Sequence, residues 1–234
     1  MKLNTNSNSY TILYACGVVV VVAFLLATVS QVLKPAITAN ERIDTKKQIL
    51  SSLHLKPAQA EVEAVYETVV KSAIIVDTAG TVVKTDGGFE VKRKEIVVSN
   101  LPVFICQTNN ETKYVLPMVG KGLWGGIWGY MAVNADCETV YGIYFGHESE
   151  TAGLGALIAT DDFAGQFVGK RLTSEDAQYT LSVVKNGSKK DSEQTQCDGI
   201  SGATLTGNGV SDMLQSTVAL YKNYLLNLKN QETK

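Results

Sequence analysis

The run Thr11–Leu33, TILYACGVVVVVAFLLATVSQVL, contains no charged residue. Coiled at about 1.5 Å per residue, a segment of this length crosses a hydrocarbon core of about 30 Å. A cleaved signal peptide is the rival reading, but its apolar part spans only about 7 to 15 residues and ends in a small-residue cleavage site. The run is too long for that and reads as an uncleaved transmembrane helix. It divides the chain into a tail over 1–10, the span over 11–33, a helical stalk or linker over 34–58 and a folded domain over 59–234. Lys34, Arg42, Lys46 and Lys47 follow the span and only Lys2 precedes it. By itself this count puts the large domain in the cytoplasm.

The 234 residues allow one substantial domain beside the anchor. With 19% charged residues, a net charge of -2 and no clustered basic face, nothing draws this chain to nucleic acid. Cys16, Cys106, Cys137 and Cys197 are far apart, without a CxxC pair, and read as simply buried; one disulfide remains open if the domain faces an oxidising compartment. His54 and His147 are the only histidines and lack partners at ligand spacing, so no metal is expected.

After Pro35 the segment ITANERIDTKKQILSSLHL predicts an amphipathic helix ending before Pro57, and AQAEVEAVYETVVKS predicts a second. The runs AIIVD, TVVKT, KEIVVS, PVFICQT, TKYVLPMVG, IWGYMAVN, TVYGIYFGH and YTLSVVK predict strands of an antiparallel sheet, with a short helix over DDFAGQFVGKRL. Val210, Met213, Leu214, Thr217, Val218, Tyr221, Tyr224, Leu225 and Leu228 recur at helical steps, so a terminal helix packs on the core. The fold class is α+β: a single anchor helix, then an antiparallel sheet with packed helices.

DGISGATLTGNGV, residues 198–210, leads into that terminal helix. A helix beginning near Thr206 presents unpaired N–H groups and a partial positive charge, a setting that suits a phosphate. Ordinary capping by Ser or Thr explains the same residues. In GLWGGIWGY, Trp124 and Trp128 are four apart and in a strand would share a face; two core tryptophans beside a glycine bend is the plain alternative. HESETAGLGA, residues 147–156, offers backbone N–H groups around Leu154, or else is a solvent loop. Glu148 and Glu150 do not make an acid–base pair without a cleft and read as part of that solvated loop. Lys170 and Lys185 read as surface lysines unless one faces a phosphate or a reduced ring.

Ser201-Gly202-Ala203-Thr204-Leu205-Thr206 resembles the S-G-A-T-x-T flavinylation motif of FMN-binding domains, and GLWG and ETAGLG resemble segments of the C subunits of Na+-translocating NADH:quinone oxidoreductases. The resemblance runs from the anchor to the terminal helix. The loop departs from the family's pattern, with two residues between His147 and Glu150 and with Ala152 in place of proline. The resemblance implies FMN joined covalently through its phosphate to Thr206. It implies cofactor contacts from Ser201, Gly202, Ala203, Thr204 and Leu205, from Leu123, Trp124 and Gly125, and from Glu150, Thr151, Gly153, Leu154 and Gly155. It further implies an electron-transfer component of an ion-translocating oxidoreductase with no catalytic residue or substrate site of its own. Its partners would be the other membrane subunits of a redox-driven Na+ pump, a flavin transferase and the lipid bilayer. The domain would lie on the periplasmic side of a bacterial inner membrane, against the charge count. The flavoprotein of the Rnf complex, its G component, shares motif and anchor and is the nearest competitor, and a non-redox membrane-anchored binding domain is the other alternative.

Overall fold

A computed structural model describes residues 7–232, apart from Val97 and Tyr179. Most of the tail with its Lys2, Val97 of KEIVVS and Tyr179 of YTLSVVK lie outside the described residues. The chain forms two units, 1–45 and 46–234.

Helix α1 runs Asn8–Ser52 without a boundary at Pro35, so the expected separation of span and stalk helix is absent. A proline inside a helix forfeits one backbone bond at about 3 kcal/mol, which a helix of 45 residues can absorb. The helix is long and apolar enough to cross a membrane, and none of its most apolar window is buried. It stops at a left-handed His54, where Leu55 N–H returns to the Leu50 carbonyl.

In the second unit a 3₁₀ turn and α2 (Val62–Val69) precede the strands β1 (Val70–Val76), β2 (Val82–Lys84), β3 (Leu101–Thr108), β4 (Glu111–Lys121), β5 (Gly126–Val133) and β6 (Val140–His147). Among the described residues these form one six-stranded sheet in the order β2-β1-β3-β4-β5-β6, antiparallel throughout. After a short helix α3 (Asp161–Gly165), strands β7 (Ser182–Val184) and β8 (Gln196–Asp198) pair parallel, and α4 (Thr204–Glu232) ends the fold.

The strand period of two sorts the sheet's faces. Leu116, Met118, Ile127, Met131 and Val133 meet Val210, Met213, Leu214, Tyr221 and Leu225 of α4 in one buried core. Tyr221 Oη donates to the Pro102 carbonyl at 2.9 Å, fixing the helix across the strands. On the opposite face Trp128 donates from Nε1 to Gln48 Oε1 at 3.0 Å, and the Arg93 guanidinium lies 3.9 Å from its ring.

Three expected elements differ. The described residues of KEIVVS form no strand: Arg93–Glu95 form a 3₁₀ turn, Glu95 Oε2 accepts from Lys92 N–H, and Arg93 is drawn onto Trp128, so local capping overrides β propensity. YTLSVVK yields only β7, which pairs with β8 and not with the large sheet. The tryptophans share no strand face, because Gly122 N–H closes a turn onto the Gly125 carbonyl and β5 begins only at Gly126, leaving Trp124 in the loop and exposed. All four cysteines are free, and Cys106, Cys137 and Cys197 are buried.

Candidate functional site

Three segments distant in sequence converge where α4 begins. The helix starts at Thr204, two residues earlier than the hydroxyl pattern suggests, because Gly207 N–H reaches the Ala203 carbonyl at 2.9 Å. That bond opens the intrahelical ladder. It leaves the N–H groups of Thr204, Leu205 and Thr206 ahead of it, the donors that a helix cannot satisfy from its own backbone. Thr206 therefore lies within the first turn, 1% exposed, and not at the rim.

Its hydroxyl donates to Glu150 Oε2 at 2.6 Å, and Glu150 Oε1 accepts the Trp124 N–H at 2.9 Å. Glu150 is thus no part of a solvated loop; it is 7% exposed and ties α4 to the turn before β5. Burial alone would raise its pKa. The donors around it, Thr206 first and then the N–H groups of Trp124, Gly125 and Leu123, outweigh burial and hold the carboxyl below its ordinary value. Glu148 does a smaller, similar task, accepting the Gly126 N–H at 3.0 Å.

Two glycines make this approach possible. A Cβ on Gly155 would come 2.5 Å from Glu150 Oε2 and 2.6 Å from Thr206 Oγ1, and one on Gly122 would come 2.5 Å from Glu150 Oε1. Gly202 takes a φ of 79°, the left-handed region, as the chain turns from the Ser201 segment into the helix.

Leu123, Trp124, Leu154 and Leu205, all on these converging segments, are exposed. Ser201 Oγ, by contrast, is engaged by Asn186 Nδ2 at 3.0 Å, so the β7–β8 connection buttresses the motif. Asn186 escaped sequence reasoning, although the Asn186-Gly187 pair does signal a turn at that point. Lys185 lines a shallow niche with Gly199, Thr204 and Gly207, beside the helix entrance. Lys170 is turned elsewhere, onto the Glu193 carbonyl. Thr151 accepts the Leu154 and Ala156 N–H groups through its carbonyl, which shapes the loop around Gly153. The site residues the sequence nominated thus fall on three contiguous segments, with Glu150 and Thr206 in direct contact.

The fold is an α+β domain whose terminal helix opens onto the Thr206–Glu150 pair, and residues 122–219 match the family described as FMN-binding domain. A protein of known structure from Parabacteroides distasonis, the C subunit of a Na(+)-translocating NADH-quinone reductase, is 34% identical and superposes with a TM-score of 0.78, covering 82% of this chain and 96% of that one. The chain belongs to the family of Na(+)-translocating NADH-quinone reductase C subunits, components of an oxidoreductase complex. The C subunit from Haemophilus ducreyi is 29% identical over 232 residues, 90% of each chain, and that from Vibrio alginolyticus 43% over 109 residues, 46% of this chain and 42% of that one. A solved protein from Shewanella oneidensis, 22% identical with a TM-score of 0.72 and covering 82% of this chain and 99% of its own, shares the fold.

Proposed function

We propose that this chain is a membrane-anchored electron-transfer subunit of a Na+-translocating NADH-quinone reductase, carrying FMN joined through its phosphate to Thr206. The observation that carries the reading is the position of Thr206. It is a threonine hydroxyl in the first turn of a long helix, next to three backbone donors without helical partners, inside the segment matched to the FMN-binding family. Such a helix end favours a phosphate by dipole and by donor supply. The cofactor would supply the redox chemistry. The chain supplies the tether, the phosphate-facing N–H groups of 204–206 and an apolar edge from Leu123, Trp124, Leu154 and Leu205 against which a flat ring can rest.

The exposed apolar length of α1 supports an anchor, since large apolar side chains such as Phe24 and Leu26 are exposed along it. The resemblance to the C subunits favours a domain outside the cytoplasm, where a flavin transferase would act, and membrane subunits of the same complex as partners. The charge difference across the span is an insertion bias of a few residues and does not forbid this orientation.

The test is the mass of the chain isolated from its native membrane. The reading expects an increment of FMN less one water, located on the peptide containing Thr206 and lost in Thr206→Ala. An unmodified mass, or an increment on another residue, would overturn it.

A further inference from the structure

The esterification of Thr206 requires its hydroxyl to lose a proton, and one group in the structure is built around that proton. Glu150 Oε2 holds it at 2.6 Å, while Oε1 is fixed by the Trp124 N–H at 2.9 Å. The carboxylate is buried, so its orientation is set by these contacts and not by solvent. Its other attachment is to the 123–125 turn, through the Trp124 N–H. Gly122 and Gly155 approach its two oxygens from either side, each at a spot that any larger residue would fill. Glu150 is therefore the carboxylate in place to receive what the Thr206 hydroxyl gives up.

We infer that Glu150 takes the proton from Thr206 when the FMN phosphoester is formed, an inference that rests on the reading of Thr206 as the attachment point. In this step Thr206 Oγ forms a bond to the phosphorus of a flavin phosphoanhydride, such as a flavin dinucleotide. The bond from that phosphorus to the bridging oxygen breaks, and its electron pair leaves with the departing phosphate. The hydroxyl proton passes to Glu150 Oε2. Nothing is oxidised or reduced. A free flavin phosphate is not a sufficient donor, because its leaving group would be water.

A carboxylate of low basicity suffices here. Phosphoryl transfer runs through a loose transition state in which proton removal demands alignment more than strength, as for the aspartate that accepts the substrate hydroxyl proton in protein kinases. Alignment is what the four donors around Glu150 provide, and they keep it ionised and ready to accept. After transfer Thr206 has no proton to give and an anionic phosphate occupies its side. Glu150, still held by the N–H groups of the 123–125 turn, passes the proton on to water and returns to its ionised form. Thr206 is 1% exposed and Gly155 lies against its hydroxyl, so the donor reaches it only when the backbone around Gly155 moves aside. Glu150 precedes that segment and remains held by the 123–125 turn.

The test uses the full chain purified without flavin, a flavin transferase and flavin dinucleotide, and follows the mass of the Thr206 peptide over time. Wild-type chain is expected to gain FMN at Thr206, and Glu150→Gln, which keeps the shape but cannot take a proton, to gain it about 10² to 10⁴ times more slowly. Circular dichroism checks that the variant is folded. If Glu150→Gln fails to fold, Glu150→Asp takes its place. Withdrawing the carboxylate by one methylene is expected to slow incorporation, and a wild-type rate would count against the inference. Incorporation into folded Glu150→Gln at the wild-type rate overturns the role of Glu150 and leaves the attachment point standing. Wild-type chain that gains no flavin at Thr206 overturns both.

Discussion

Gly155 lies so close to Thr206 that a Cβ on it would stand 2.6 Å from the threonine hydroxyl and 2.5 Å from the carboxylate that hydroxyl bonds. Thr206 Oγ1 is two bonds from a helical backbone and Glu150 is held by backbone donors, so neither can yield without breaking their mutual contact. Gly155→Ala is therefore expected to cost about 1 to 3 kcal/mol, the range for overpacking a tight interior. It is also expected to reduce covalent flavin. Urea unfolding measures the first and intact mass the second; an alanine variant as stable and as fully flavinylated as wild type would refute the packing described.

Glu150 also sets a pH dependence. Its folded pKa lies below the ordinary glutamate value, so the folded state binds its proton less readily than the unfolded chain does. The stabilisation is complete above the unfolded value of about 4.3 and is lost as pH falls through the lower folded value. Glu150→Gln has no such group. The stability difference between wild type and Glu150→Gln, measured by urea unfolding, should be constant near neutrality and shrink on acidification below about pH 4. A difference that grows with acid would contradict the sign.

Much of this was legible in the sequence, and each exception has a physical cause. The stripe Val210 to Leu228 identified α4 because its period is local, and the alternation in β3 to β6 did the same for the sheet. The motif 201–206 marked the stretch that opens α4, where Thr206 meets Glu150. What could not be read was the meeting of Glu150 with Thr206, 56 residues apart, since only tertiary folding brings the loop after β6 to the start of α4. Glu150 read as solvated because the sequence shows no cleft around Glu148 and Glu150. KEIVVS failed for a related reason, with Arg93 held by Trp128 on a strand far along the chain. The pairing of β7 with β8 is parallel and carried by three residues each, too short for a periodic signal.

The buried thiols give a prediction independent of any flavin. Burial pushes Cys106 up to about 12, and Cys197 likewise to about 12. Since the thiolate is the reactive form, both should resist a thiol-reactive disulfide reagent in the folded chain. Raising the pH from about 7 to about 9, which speeds labelling of an ordinary thiol of pKa about 8.5, should leave them almost unlabelled. Urea should expose both together. Peptide mass mapping reads the result, and rapid native labelling of Cys197 would show that the β8 strand is not packed as described.

Gly209 tests how α4 is seated. In an exposed helix a glycine-to-alanine change stabilises by about 1 kcal/mol, because alanine has less backbone freedom to lose. Here a Cβ would stand 2.2 Å from the Lys121 carbonyl oxygen, at the end of β4, an atom of the backbone that cannot rotate aside. Steric exclusion outweighs propensity, and Gly209→Ala is expected to lower stability by more than about 1 kcal/mol, in the direction opposite to helix propensity. Displacing the helix there also moves Thr206, one turn earlier on α4, away from Glu150 on the loop after β6. Covalent flavin should therefore fall together with stability, although the substituted residue belongs to neither the motif nor the carboxylate. Urea unfolding and the mass of the Thr206 peptide, taken on the same preparation, test that coupling. A Gly209→Ala chain more stable than wild type would mean that α4 does not rest against the end of β4.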